Sequence, residues 1–338
     1  MSGPVLARKK NGDAMHAASV ILLSWAMIGA ACLFPHFLAS AVAGVLAVLV
    51  AVIGLPHGAA DHRFARPRLE PFLGQAWLPV FLSGYLMIAA AVACGWFVAP
   101  ATTILFFFMA SACHFGLEER LPPVGPRWAR PVVRLARGGL VIWIPILFHA
   151  EEVTRTLGMI APTGSEPAIR QALLPLTACS WIMVAVAAVA WTVQGMVALG
   201  LVGSECSGRT RRVLLTDNLL VASLVLVFAI ASPLVGFIVY FCGWHSARGL
   251  RRLRIQLGET WRQLAGSLAA PTAAAIAVCS LVAWFCRDGA AWNDTLVRAT
   301  FVGLSAVAIP HLLLHALAPW LDAIMRRSAL ASRCGSPA

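Results

Sequence analysis

The sequence predicts an all-α fold: a polytopic transmembrane helical bundle of about ten spans, with both termini cytoplasmic. Three observations predict it. Hydrophobic residues make up 60% of the 338 residues and charged residues only 12%, with a mean hydropathy of +0.81. A soluble domain carries about 25% charged residues. Residues 14–60 and 71–117 contain no Asp, Glu, Lys or Arg. A bilayer-spanning helix needs about 20 apolar residues, so each stretch holds two spans. Finally, the charges that remain fall between apolar runs. This pattern excludes a disordered chain, a small disulfide scaffold and an ordinary cytosolic enzyme.

The expected spans are 15–35, 38–56, 76–97, 100–117, 138–158, 175–202, 214–232, 234–248, 268–286 and 297–318. Arg8, Lys9 and Lys10 precede the first, and Pro35 marks its joint with the second. With the N-terminus inside, every Lys and Arg lies on the cytoplasmic side except Arg155, Arg170, Arg287 and Arg298. That asymmetry follows the positive-inside rule. The fifth span is short, since Glu151 and Glu152 follow residue 150. Basic segments before residue 138 and after residue 204 require it to cross. The seventh and eighth spans share the uncharged run 218–247, broken at Ser232-Pro233. Residues 1–14 and 321–338 are read as cytoplasmic tails and 15–320 as a single membrane domain.

A net charge of +12 implies no nucleic-acid partner, because the basic residues form no surface stripe. The nine Cys include no CxxC pair, and those inside apolar runs, such as Cys32, Cys94, Cys179 and Cys279, read as small buried hydrophobes.

The histidines carry the chemical signal. His57 ends the second span, His114 lies near the end of the fourth, His245 near the end of the eighth, and His311 and His315 toward the end of the tenth. All of these spans run outside to inside, so four helices present imidazole at one depth. Ionisable groups inside a bilayer are costly and mark function. Imidazole is the commonest side-chain metal ligand, and a His-rich cluster suits Fe, Zn, Cu or Ni. His16 and His36 fall at membrane edges and read as solvated, His149 lies on the opposite side, and His62 is in a loop. His315 is read as a bystander to His311, one turn away. Asp61, four residues after His57, is a candidate to orient the His57 imidazole, with a helix cap or a solvated loop acid as the alternative. Asp217, one turn into the seventh span, is a second such candidate, with an ion pair to Arg211 or Arg212 as its alternative. Glu118 and Glu119 read as a solvated helix end.

The segments GLPHGAADH, CHFG, YFCGWHSAR and PHLLL, in order over residues 54–315, resemble the bacterial Brp/Blh-type β-carotene 15,15′-dioxygenase family. The resemblance implies an integral protein of the bacterial inner membrane that cleaves β-carotene centrally with O2 to two retinals, using histidine-bound Fe(II). It places metal ligands at His57, His114 and His245, and implies no catalytic group beyond the metal site. A fourth imidazole is expected four residues after His245, where this chain has Gly249. His311 is the candidate replacement. The departure leaves open a member with lost or altered catalysis.

A polyene substrate would enter laterally from lipid into an aromatic-lined slot, for which Phe115, Phe241 and Trp244 are candidates. A transporter using the histidine layer for metal or protons is the rival reading, but only Gln194 and Asn218 supply amides inside the spans. A two-haem cytochrome would need histidines at both faces. A retinal receptor would need a membrane lysine, and the only lysines are Lys9 and Lys10. A non-catalytic scaffold would tolerate loss of His57. Oligomeric state is left open.

Overall fold

The computed structural model describes residues 3–119, 121–122, 124–203, 207–285 and 291–334. Arg287, one of the four basic residues placed on the non-cytoplasmic side, lies outside them. Every regular element among the described residues is helical. The order is α1 (Gly3–Leu33), α2 (Pro35–Leu49), α3 (Leu55–Ala59), α4 (Asp61–Leu73), α5 (Trp77–Val98), α6 (Pro100–Glu118), α7 (Arg130–Gly138) and α8 (Leu140–Phe148). It continues with α9 (Ala150–Ile160), α10 (Glu166–Leu199), α11 (Gly208–Ile230), α12 (Pro233–Phe237), α13 (Ala247–Leu257), α14 (Trp261–Phe285) and α15 (Trp292–Cys334). Two π-helical segments, Val50–Gly54 and Ile238–Ser246, join α2 to α3 and α12 to α13.

Seven stretches are long and apolar enough to cross a membrane, or eight if the bent pair Arg127–Gly138 and Leu140–Phe148 counts as one span. The difference from ten has three sources. The expected spans 38–56 and 76–97 fall in one helical stretch, Pro35–Val98. The expected span 138–158 is split by a 56° bend before Leu140 and a break at His149. The expected span 234–248 is built from a five-residue helix and a π-segment. The sequence boundaries also shift. The helix α10 begins at Glu166 instead of residue 175, and α15 runs on through the expected tail to Cys334.

The joints have local causes. Pro35, Pro100 and Pro233 each open a helix at a position where the missing N–H costs nothing. Ser232 caps α12 by accepting from Val235 N–H, and Ser207 caps α11 by accepting from Thr210 N–H. Apolar side chains such as Leu86, Met87, Trp181 and Val98 stand exposed. On a soluble protein such surface would be an aggregation liability; on a membrane helix it meets lipid. Cys32 and Cys94 share that exposed surface and are not core residues, whereas Cys179 is half-buried.

The helix α15 runs through the middle of the bundle, packed against α2, α5, α9 and α14. Trp96 of α5 is fully buried, and its indole N–H donates to Ser305 Oγ of α15 at 2.7 Å. The helices α6 and α7 cross at backbone contact. A Cβ on Gly116 would strike the Arg134 carbonyl, and one on Gly138 would strike the backbone of Gly116. That crossing seats the end of α6 beside Arg137.

Candidate metal centre

Four helical segments bring four imidazoles together. His57 comes from α3, His114 from α6, His245 from the second π-segment and His311 from α15. Their ring centroids trace a closed circuit. His57 to His245 is 5.2 Å, His245 to His114 is 5.1 Å, His114 to His311 is 5.0 Å and His311 to His57 is 5.1 Å. One ring nitrogen each from His57, His114 and His311 lie within 4.8 Å of one another. His114, His245 and His311 are buried. His57 Nε2 is a buried nitrogen with no hydrogen-bond partner among the described residues. An orphaned buried imidazole nitrogen beside three other imidazoles costs free energy unless something coordinates it. The residues present therefore fit a metal that prefers neutral nitrogen donors.

The π-segments account for the aim of two of these side chains. A π-turn inserts an extra residue and rotates everything after it, a distortion frequent at functional sites. One such turn immediately precedes the helix of His57, and the other contains His245. The two segments pack on each other, with a Cβ on Gly54 falling 2.7 Å from Phe241 Cε1.

Gly249 lies against this ring. A Cβ there would stand 2.5 Å from His57 Nδ1 and nearer still to Cε1. The position expected to donate an imidazole is thus covered by the ring of His57, and His311 enters from α15.

Asp61 is buried and close to the cluster, but its partner is not His57. Its Oδ1 stands 2.6 Å from His311 Nδ1, and Tyr85 O–H lies 3.2 Å from its Oδ2 and 3.0 Å from the Val307 carbonyl. His315 Nε2 is 3.9 Å from the same Oδ1, and its ring stacks on Phe64.

Asp217 lies elsewhere. Arg137 donates to both of its oxygens at 2.9 and 3.0 Å, and Gln194 Nε2 donates to Oδ2 at 2.7 Å. Its charge partner is Arg137 rather than Arg211 or Arg212, because the α6–α7 crossing delivers Arg137 to it. Glu119 is likewise not solvated. It is buried between Arg137 at 3.6 Å and Arg248 at 3.7 Å, and accepts from Trp244 Nε1 at 3.4 Å. Two acids and two guanidiniums balance beneath the histidines.

An apolar cavity of about 120 Å³ rises from the imidazoles between α6, α8, α9, α12 and α15. His57, His114, His245 and His311 form its floor, and Phe107, Phe115, Phe237, Phe241 and Phe301 are among its walls. Phe115 and Phe241 face the cavity. Trp244 does not. It stacks on His16 with centroids 5.4 Å apart and lies under the Arg248 guanidinium. His16 is accordingly half-buried, with Nε2 near the Trp244 carbonyl, and not solvated. His36 is exposed, His62 Nδ1 bonds the Ala59 carbonyl, and His149 Nε2 bonds the Ala229 carbonyl. Sequence reasoning missed Tyr85 and the Glu119–Arg137 pair. A hydroxyl inside an apolar run was the available signal for Tyr85.

A family model described as beta-carotene 15,15′-dioxygenase matches residues 48–318. A beta-carotene 15,15′-dioxygenase from an uncultured marine bacterium is 26% identical over 270 residues, covering 79% of this chain and 90% of its own length. A probable beta-carotene 15,15′-dioxygenase Blh from Halobacterium salinarum is 28% identical over 297 residues, covering 81% and 82%. No solved structure matches the chain.

Proposed function

The chain belongs to the beta-carotene 15,15′-dioxygenase family, and on that premise we propose that it is an iron-dependent membrane oxygenase that cleaves β-carotene, or a closely related carotenoid, with O2. The observation that carries this reading is the circuit of four imidazoles on the floor of an apolar, aromatic-walled cavity. The reaction balances without added electrons or protons. The central double bond breaks, each of its carbons becomes an aldehyde carbonyl, and each aldehyde takes one atom of O2, giving two retinals. Fe(II) held by His57, His114, His245 and His311 would supply the centre at which O2 is activated.

The chain's own residues do the rest. Phe107, Phe115, Phe237 and Phe241 offer ring faces to a polyene that has no polar handle. Specificity for such a ligand rests on length and shape, because nothing on it accepts a hydrogen bond. The apolar walls keep bulk water from the imidazoles. The Glu119–Arg137 pair holds the cytoplasmic end of α6, and with it the register of His114.

The membrane arrangement belongs to the same proposal. At about 1.5 Å per residue, the 64-residue stretch Pro35–Val98 is far longer than a roughly 30 Å hydrocarbon core, and its two halves both pack on α15. It therefore crosses, turns at the Arg63–Arg68 segment and crosses back. With α8–α9 and α12–α13 as broken crossings, the count is ten, both termini are cytoplasmic, and the bacterial inner membrane is the location. The carotenoid enters from the bilayer.

The test is co-expression in cells that accumulate β-carotene, with extraction and chromatography for retinal, beside His57→Ala. The proposal expects retinal with the unaltered chain and none with the variant at equal membrane abundance. Intact carotene in both, with protein in the membrane, would overturn it.

A further inference from the structure

We propose that Tyr85 and Asp61 are positioning residues that hold His311 as an Nε2 donor, and that this clamped histidine completes the ring on the side where Gly249 offers no side chain. The inference rests on the metal reading above and deepens it.

The geometry is specific. Asp61 Oδ1 and His311 Nδ1 stand 2.6 Å apart, and with Asp61 ionised Nδ1 is the donor. That leaves the lone pair of Nε2 free for a metal. Asp61 is itself held near Tyr85 of α5, whose single hydroxyl proton lies within reach of both Asp61 Oδ2 and the Val307 carbonyl of α15, one turn before His311. All three members are at least half-buried, and Asp61 and His311 have side-chain exposures of 5% and 7%. A charge-assisted bond of this length in an apolar setting is strong and leaves the ring little freedom. His57 has no such partner. Its Nε2 is unbonded, and its ring rests on the bare backbone of Gly249. One ligand is thus oriented by a hydrogen bond and its neighbour by a glycine, so the two are separable by mutation.

Carboxylates that hold metal-bound histidines are worth about 10–100-fold in metal affinity. The experiment measures anaerobic Fe(II) and Co(II) binding to the purified full chain by competition with a chromophoric chelator, together with the visible spectrum of the Co(II) form. The variants are Asp61→Ala, Asp61→Asn, Tyr85→Phe and His311→Ala, with His62→Gln as a control. His311→Ala and Asp61→Ala should weaken binding at least tenfold and alter the Co(II) spectrum. Asp61→Asn, which keeps an acceptor oxygen, should recover part of the loss. Tyr85→Phe should weaken binding severalfold while leaving folding intact, so the inference stays testable if Asp61→Ala fails to fold. His62→Gln should match the unaltered chain. A purely packing role for Asp61 would lower the yield of folded protein without changing affinity or spectrum, and would overturn the inference. Tight binding that is indifferent to His311→Ala would overturn it while leaving the metal reading standing. No binding by the unaltered chain would overturn both.

Discussion

Replacing Gly249 with alanine separates two accounts of this site. Sequence resemblance places an imidazole at residue 249, so adding a side chain there should be neutral or restorative. The structure argues the opposite. The new Cβ would lie 2.5 Å from His57 Nδ1, against 3.4 Å for ordinary contact. The ring is packed among other imidazoles, so it must retreat by about 1 Å. For stability the effects nearly cancel. Alanine in place of glycine within a helix gains up to about 1 kcal/mol, and overpacking costs about 1–3 kcal/mol. For function they do not cancel, because a misplacement of about 1 Å in a reacting assembly costs on the order of 100-fold. Gly249→Ala should therefore unfold within a few degrees of the unaltered protein yet lose nearly all retinal production. Gly249→His should be no better, since it displaces His57 instead of joining it. The assay is retinal per unit of membrane-inserted protein in carotene-accumulating cells, with metal content of the purified variants. Full activity and full metal content in Gly249→Ala would refute this geometry, and a gain of activity in Gly249→His would refute it more strongly.

Other predictions follow from the same structure. Removing Arg137 leaves buried Glu119 and half-buried Asp217 without their shared partner, and breaking a buried pair costs up to about 3–5 kcal/mol; Arg137→Ala should show a drop in thermal stability in detergent. Asp217→Asn should also lower stability, while the metal content of the folded fraction stays unchanged, because Asp217 bonds Arg137 and Gln194 and not the histidines. Phe237 stacks on Phe241 with centroids 5.1 Å apart and lines the cavity; Phe237→Trp should slow cleavage of full-length β-carotene more than that of a shortened carotenoid in paired assays. Between the candidate spans that end and begin around it, the Glu259 carboxyl is held below its ordinary value of 4.5 by the Arg63 guanidinium. A carboxyl with a depressed pKa in the folded state contributes stability above its unfolded value and loses it as pH falls through the folded one. The melting-temperature difference between the unaltered chain and Glu259→Gln should be small at neutral pH and vanish progressively below pH 4.5.

Much of the site was readable because charge and periodicity encode depth. Arg63–Arg68, Arg209–Arg212 and Arg248–Arg254 fix which helix ends share a side, and that alone aligns His57, His114, His245 and His311. What depth cannot give is rotation about the helix axis. Trp244 is adjacent to His245 and points away from the cavity, toward His16, while Phe241, three residues before Trp244, points in. The π-segments control this rotation, and IVYFCGWHS has no composition that distinguishes a π-turn from an α-turn. Pairings between distant elements were equally hidden. Asp61 reaches His311, 250 positions away, instead of the nearby His57, because α4 packs on α15. Glu119 looked like a solvated helix end until the Gly116–Gly138 crossing brought Arg137 over it. The chain has only two tyrosines, and a hydroxyl in the apolar run of α5 marked Tyr85 as a residue in need of a partner, without saying which.

The central claim is that retinal forms at a metal held by the four imidazoles. Its most direct test uses purified protein stripped of metal, given β-carotene in detergent micelles in air, with and without Fe(II). The account predicts two retinals per β-carotene only when Fe(II) is added, and none from His57→Ala under the same conditions. Retinal from the metal-free protein, or equal turnover by His57→Ala, would contradict it.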